Sequence, residues 1–503
     1  MAKIKYIPVN TPNQPTVFLN KKARLMHTGD SSRLSKIEIH GGMEVLTAEV
    51  MCAEDDNFVS PDEIGIAEPA FSILGLKEGA EVKIMPAMTP SSIESVRRKI
   101  NGGILSASEY RSIISDISSY KYSTPEVAAL IVANSSFMSP QEVLAITESL
   151  IENNFSIKWD REMVVDVHCI GGVPANRTNL IITSIVAAYG LCIPKTAPRS
   201  FTSCSSDIDV MEVLAKVDFD ENELQAIVEK NGGAVVWNGG KMKMAPADLI
   251  LMDVEKKLGI STHQQIVASI IAQKVAAGVT HLVVDIPVGA TAKIRSMAEA
   301  MKLRKLFEYV GDMLALDIDV VVTDGAEPIG NGVGPILEAR DVMKVLRCRP
   351  DAPQDLREKA LFLAGRVLEF DPKLQGGQGY AKATEILDSG RALKVFSDII
   401  NTQGKENPPA LGSMTKDIKA RAAGFVDSID INQINKIAMV AGSPKDKGAG
   451  VDLFKKVGDK VQVGDILYRI YSMSEAEFTF AQGLAEGFSG YEISNKNVSP
   501  SYK

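Results

Sequence analysis

Along the first 88 residues, apolar and polar side chains alternate in short runs: Lys3–Val9, Thr16–Leu19, Lys36–His40, Glu44–Val50 and Glu81–Met85. A period of two places every second side chain on one face of a strand, and Gly, Pro, Asn and Asp between the runs mark turns. The pattern predicts a small β-rich domain over residues 1–88. From Ser91 the pattern turns helical, and three helix starts are written out: Ser106-x-x-Glu109, Ser123-x-x-Glu126 and Ser139-x-x-Glu142, the last followed by Pro140. In such a box the serine hydroxyl and the glutamate each satisfy a backbone N–H that the helix leaves unpaired. A helical domain over 89–158 follows, and a helix over 261–278 is expected to join it.

From Trp159 to Val345 β-rich runs alternate with helical ones. Met163–Ile170, Ala234–Trp237, His281–Ile286 and Val320–Thr323 read as buried strands, and Thr178–Tyr189, His263–Ala277 and Pro335–Leu346 as helices. That alternation predicts a mostly parallel sheet with helices on its faces. Residues 352–403 are helical again, so an α/β domain is expected over 159–410. Strand and turn signals return after Ala423, with tandem turns at Val457-Gly458-Asp459 and Val463-Gly464-Asp465. They predict a small C-terminal α+β domain over 411–503 with an antiparallel barrel or sandwich. The fold class expected is therefore α/β, with small β domains at both ends.

Composition narrows the function classes. Of 503 residues, 45% are hydrophobic and 23% charged, the balance of a globular protein. A net charge of −8 gives no global attraction for nucleic acid or an anionic membrane, so an anionic small molecule would need a local positive site. Five scattered cysteines fit neither a disulfide framework nor a zinc site, and the histidines lack metal-ligand spacing. No metal site is expected. The longest near-apolar stretch, Leu180–Ile193, is short of the roughly 20 residues that span a bilayer. The first residues carry no apolar signal region, and a cytoplasmic location is expected.

Four segments could carry chemistry. Val164 to Thr178 runs from a strand through Gly171-Gly172 into a helix. Glycines let backbone approach a ligand, and a helix N-terminus offers unpaired N–H groups, so this is either a phosphate cradle or a tight packing turn. Pro194 to Asp209 gathers Lys195, Arg199 and many hydroxyls in one loop. Arg199 could fork two phosphate oxygens with hydroxyls completing the shell, or the loop is simply solvated. Val283–Lys293 repeats the strand, glycine, lysine order. Val321–Pro335 has four glycines, but without the register of a dinucleotide loop. Met242-Lys243-Met244 looks like a biotin attachment site, yet some 200 residues separate it from the barrel-like turns, and Lys243 reads as an ordinary surface lysine.

Taken together these segments resemble the type 2 thymidine/pyrimidine-nucleoside phosphorylase family, which includes archaeal AMP phosphorylases. The resemblance rests on Asp166-Val167-His168-Cys169-Ile170-Gly171-Gly172-Val173-Pro174, Ile193-Pro194-Lys195-Thr196, Arg199, Ala245-Pro246-Ala247-Asp248, Val267-Ala268-Ser269-Ile270, Asp285-Ile286-Pro287-x-Gly289, Pro328 to Asp341 and Asp446 to Val451. It implies a helical domain facing an α/β domain across a cleft, a fold shared with anthranilate phosphoribosyltransferase, and a homodimer or higher homo-oligomer. It implies phosphate attack on C1′ of a nucleoside, or of a nucleoside monophosphate, with inorganic phosphate as co-substrate and no cofactor. By motif matching, Cys169, Gly171, Gly172, Pro198, Arg199, Ser200, Phe201, Thr202, Ser203 and Asp207 stand at phosphate and ribose positions. Ser269, Ile270 and Lys293 stand at base or substrate positions, and His168 and Ser261 at catalytic ones.

The departures from the family pattern bear on chemistry. Ala197-Pro198-Arg199 stands where the family shows Ser-Ser-Arg, Cys169 where it shows Ser, and Asp207 where it shows a phosphate-contacting Thr. A carboxylate at 207 would repel a phosphate dianion unless Arg199 or Lys195 neutralised it. Ser261 aligns with an Asp proposed to protonate the leaving base in AMP phosphorylases. Pyrimidine nucleoside phosphorolysis is the leading expectation. AMP-type phosphorolysis and a catalytically silent nucleotide-binding paralogue are the alternatives.

Overall fold

A computed structural model describes residues 1–11, 14–27, 35–41, 44–200, 203–242, 244–374 and 376–495. It divides into two compact units, Met1–Phe155 with Ala245–Ala272, and Ser156–Met244 with Gln273–Lys503. Phe201, Thr202 and Lys243 lie outside the described residues.

In the first unit six strands close into a barrel in the order Ala2–Ile7, Glu63–Ala67, Thr16–Asn20, Glu44–Ala53, Lys36–Gly41 and Glu81–Pro86. The alternating apolar residues Val17, Leu19, Ile37, Ile39, Ile64 and Ile66 fill its interior. The strand Glu63–Ala67 and the short helix Glu68–Leu74 were not among the predicted elements. The strand is five residues long and pairs in parallel with the distant Ala2–Ile7, a contact that no local pattern announces. All three capping boxes form, at Ser106, Ser123 and Ser139. Glu142 serves two purposes: Oε2 accepts from the Ser139 backbone N–H at 3.0 Å, while Oε1 accepts from Lys99 Nζ at 2.6 Å and the Leu105 N–H at 3.0 Å. That buried pair pins the helices together, and removing one partner of such a pair typically costs about 3–5 kcal/mol.

The second unit is built on parallel strands. Asp317–Asp324, His281–Val288 and Val165–Cys169 form one ladder, and Ile193–Ala197 with Gly233–Trp237 a second. A single parallel bridge from Val164 to Cys192 joins the two. Val165, Val167, Ile193, Val235 and Val283 are wholly buried, as strands covered on both faces by helices require. Thr178–Tyr189 and Pro335–Leu346 are helices with the predicted limits. Beyond Gly404 the chain forms two antiparallel sheets together with the helices Ile431–Val440 and Glu475–Gly487. The glycines of both tandem turns take positive φ and donate N–H bonds back to Val426 and Ala420. The four-glycine segment is structural: Gly332–Val333 is a short strand paired with Gly450–Leu453. Among the described residues no helix is long and apolar enough to cross a membrane.

Candidate functional site

Ligands in parallel α/β sheets gather at the carboxyl ends of the strands, and there the strand Val165–Cys169 turns through Gly171 and Gly172 into the helix beginning at Thr178. Both glycines have left-handed φ, +82° and +93°. Gly172 is the tight one. A Cβ on it would lie 2.8 Å from Lys293 Cβ, whereas one on Gly171 would meet nothing within 4 Å. Gly172 and Lys293 are both exposed, and Lys293 Nζ donates to the Ile170 carbonyl at 3.2 Å. The turn and the lysine therefore form one solvent-accessible, cationic edge.

His168 ends this strand. Its Nδ1 is buried with no hydrogen-bond partner among the described residues, an orphan that native structures rarely leave. Burial, reinforced by the charges of Lys274, Lys195 and Lys293, holds the imidazole well below its ordinary pKa. It is neutral at physiological pH, able to donate from one nitrogen and accept at the other. Cys169 is no nucleophile: burial, with Asp285 nearby, pushes its thiol up to about 12. Its sulfur accepts from the Gly171 N–H and from Asn176 Nδ2, each at 3.4 Å, so it buttresses the turn from inside.

The described residues that follow Ile193–Ala197 are bonded largely within the protein. Arg199 gives both arms of its guanidinium to Glu212, at 2.7 and 2.6 Å, and lies 4.6 Å over the Trp237 ring. Lys447 joins the same carboxylate at 2.8 Å, and Arg199 draws Glu212 down to about 2. The Ser200 N–H donates to Asp209, the Ser203 hydroxyl to the Ser205 carbonyl, and the Ser205 hydroxyl to Glu338. Pro198 stands half-buried at the head of this loop. The fork expected for phosphate thus already holds a carboxylate, and the hydroxyls of Ser203 and Ser205 are bonded within the protein.

Asp207 is neutralised, but by neither cation the sequence suggested. Arg177 Nη1 donates to its Oδ1 at 3.0 Å and Asn179 Nδ2 to its Oδ2 at 2.6 Å. Arg177 Nε also donates to Glu338 at 2.5 Å. Lys195 turns instead to Asp166, 3.4 Å away.

In the other unit, Ser269 donates its hydroxyl proton to Asp248 Oδ2 at 2.8 Å, and Ile270 is buried. Ser261 is exposed, just before the helix His263–Ala276, whose first turn Thr262 caps by accepting from the Gln265 N–H. Among the described residues no group of three or more His, Cys, Asp or Glu could hold a metal ion.

Comparison with known proteins decides the family. Residues 161–393 match a model described as the glycosyl transferase family a/b domain, and 425–489 the pyrimidine nucleoside phosphorylase C-terminal domain. A protein of Rhodopseudomonas palustris described as "putative thymidine phosphorylase" is 45% identical over 493 residues, covering 98% of this chain and 96% of its own. One of Bradyrhizobium diazoefficiens with the same description is 45% identical over 500 residues, 99% and 97% of the two chains. The chain belongs to the pyrimidine nucleoside phosphorylase family. Among solved structures, anthranilate phosphoribosyltransferase from Thermus thermophilus shares the fold, with a TM-score of 0.51 at 18% identity, over 61% of this chain and 99% of that one.

For a pyrimidine nucleoside phosphorylase family member, several site-shaping residues went unassigned in the sequence reading. Asp166 and Arg177 lie in the Val164 to Thr178 segment with no role assigned from sequence. Lys274, a single cation in the apolar run Ile266–Ala277, carried the one available signal: a buried lysine needs a partner. Asp248, the acceptor for Ser269, was quoted only as part of a match.

Proposed function

We propose that this protein is a pentosyltransferase that cleaves a pyrimidine nucleoside with inorganic phosphate, giving free base and pentose 1-phosphate. The observation that carries the reading is the exposed Gly171–Gly172 turn packed on Lys293 beside a neutral His168, in a chain that aligns with its family from end to end. Backbone at Gly172 and the ammonium of Lys293 suit an oxyanion. In the step proposed, a phosphate oxygen forms the new bond to C1′ while the C1′–N bond breaks and its electron pair leaves with the base. His168, uncharged, can accept or donate one hydrogen bond to substrate without repelling the cationic sugar that develops.

The choice of pyrimidine over AMP rests on Ser261. A hydroxyl is a poor proton donor to a leaving purine, and a well-placed acid is worth about 10²–10⁴-fold. A pyrimidine can leave with its charge on a carbonyl oxygen held by hydrogen bonds. Ser269, whose hydroxyl donates to Asp248 and so presents its oxygen as an acceptor, is the group we assign to the N–H of the base edge. Incubation with phosphate and a panel of uridine, thymidine and AMP, followed by chromatography for free base, tests this. Pyrimidine release with little adenine is the expected result, with adenine release rising in Ser261→Asp. Rapid adenine release by the unmodified protein contradicts the assignment.

A further inference from the structure

Lys195 and Lys274 have side chains 1% and 0% exposed, yet they share one carboxylate, that of Asp166. Lys274 Nζ donates to Asp166 Oδ2 at 2.6 Å and to the Thr196 carbonyl at 2.8 Å. Lys195 Nζ donates to the Val167 carbonyl at 2.5 Å and lies 3.4 Å from Asp166 Oδ1. A structural ion pair needs one lysine. Two leave one positive charge inside the sheet beyond what Asp166 neutralises, where holding a charge is costly.

The surplus is directed. Lys274 and Lys195 attach to residues 166 and 167, and Lys293 to residue 170, so three cations follow one strand toward the Gly171–Gly172 turn. All three bear on His168, which stays neutral. The other carboxylate acting on Lys274 is Asp207, which shares the single cation Arg177 with Glu338 and also accepts from Asn179.

We propose that the Asp166–Lys195–Lys274 cluster is the positive floor of the anion site, and that both lysines are positioning residues holding a phosphate dianion by their field, without touching it. This inference rests on the phosphorolysis reading. It has a pH signature. Burial pushes Lys274 down to about 8; Lys195 adds to this, while Asp166 and Asp207 oppose it. Its folded pKa is thus below that of a free lysine. As pH rises through about 8 the proton leaves Lys274, the cluster loses one positive charge, and dianion affinity falls. Inorganic phosphate is already mainly dianionic there, so its own titration cannot mimic the loss.

Steady-state kinetics with phosphate varied at saturating nucleoside test this on the full chain. Lys274→Met and Lys195→Met each leave one lysine on Asp166, a neutral pair. Each is expected to raise the KM for phosphate roughly ten-fold, the scale of one unit charge acting through protein. The effect should fall on that KM rather than on kcat or the nucleoside KM. In the parent, the phosphate KM should climb above pH about 8, and the climb should vanish in Lys274→Met. If neither variant melts cooperatively, the parent profile decides: a flat phosphate KM through that range overturns the proposal. Phosphate-dependent cleavage with unchanged phosphate KM in both folded variants also overturns it. A parent that releases no base with phosphate refutes the functional reading instead.

Discussion

Gly172→Ala and Gly171→Ala form a matched pair. Both residues have left-handed φ, so each alanine brings about 1–2 kcal/mol of backbone strain. Only the methyl at 172 meets anything: Lys293 Cβ at 2.8 Å and the Lys293 backbone nitrogen at 3.1 Å. Ordinary contact begins at 3.4 Å, so the lysine or the turn must shift by about 0.6 Å. A misplacement of about 1 Å in a group that aligns reactants can cost 10²-fold. Gly172→Ala should therefore lose at least about ten-fold more kcat/KM for phosphate than Gly171→Ala. Strain common to both should lower their melting midpoints together, by about 2–4 °C per kcal/mol in a domain of this size. Phosphate-varied kinetics and calorimetry on the two proteins measure both quantities. Equal kinetic losses in the pair would refute the assignment of Gly172 and Lys293 to the oxyanion.

Arg199→Ala should weaken the packing of Glu212 and Trp237 rather than phosphate binding, because both arms of the guanidinium are held by Glu212; a loss above about 100-fold confined to phosphate KM, with the melting midpoint unchanged, would show otherwise. Asp207→Thr leaves Arg177 paired with Glu338 but takes the acceptor from the buried Asn179 amide, and calorimetry should find a midpoint lowered by a few degrees, since an unsatisfied buried polar group costs about 1–3 kcal/mol; a stable and more active variant would contradict this. The Glu212 carboxyl is held at about 2, below its free value, so its pairing stabilises the loop above the ordinary carboxylate range and is lost as pH falls toward 2. Because Arg199 stacks on Trp237, the fluorescence of a Trp159→Phe protein should change over that acid range, and a flat trace would count against the coupling.

Elements with local signals were legible in the sequence. The three capping boxes, the strand leading to His168 and the helices Thr178–Tyr189 and Pro335–Leu346 each carry their own period or cap. Glu63–Ala67 and Gly332–Val333 were not, because both are held by partners far along the chain. The site divides the same way. Gly172, His168 and Lys293 stand out by glycine spacing and motif, and the structure brings them to one strand end. The partners of the charges could not be read. A sequence shows that Asp207, Arg199 and Lys195 are ionisable, but folding hands them to Arg177, Glu212 and Asp166. Pairing in a buried network depends on which side chains converge from separate strands and helices, and spacing along the chain does not encode it.

The central claim is phosphorolysis, and product identity tests it most directly. Uridine or thymidine incubated with the protein and inorganic phosphate should give base and pentose 1-phosphate in equal amounts, the ester seen by phosphorus NMR. Neither product should form when phosphate is withheld. Base released without phosphate, with free pentose as its companion, would mean that water is the nucleophile and would contradict the account.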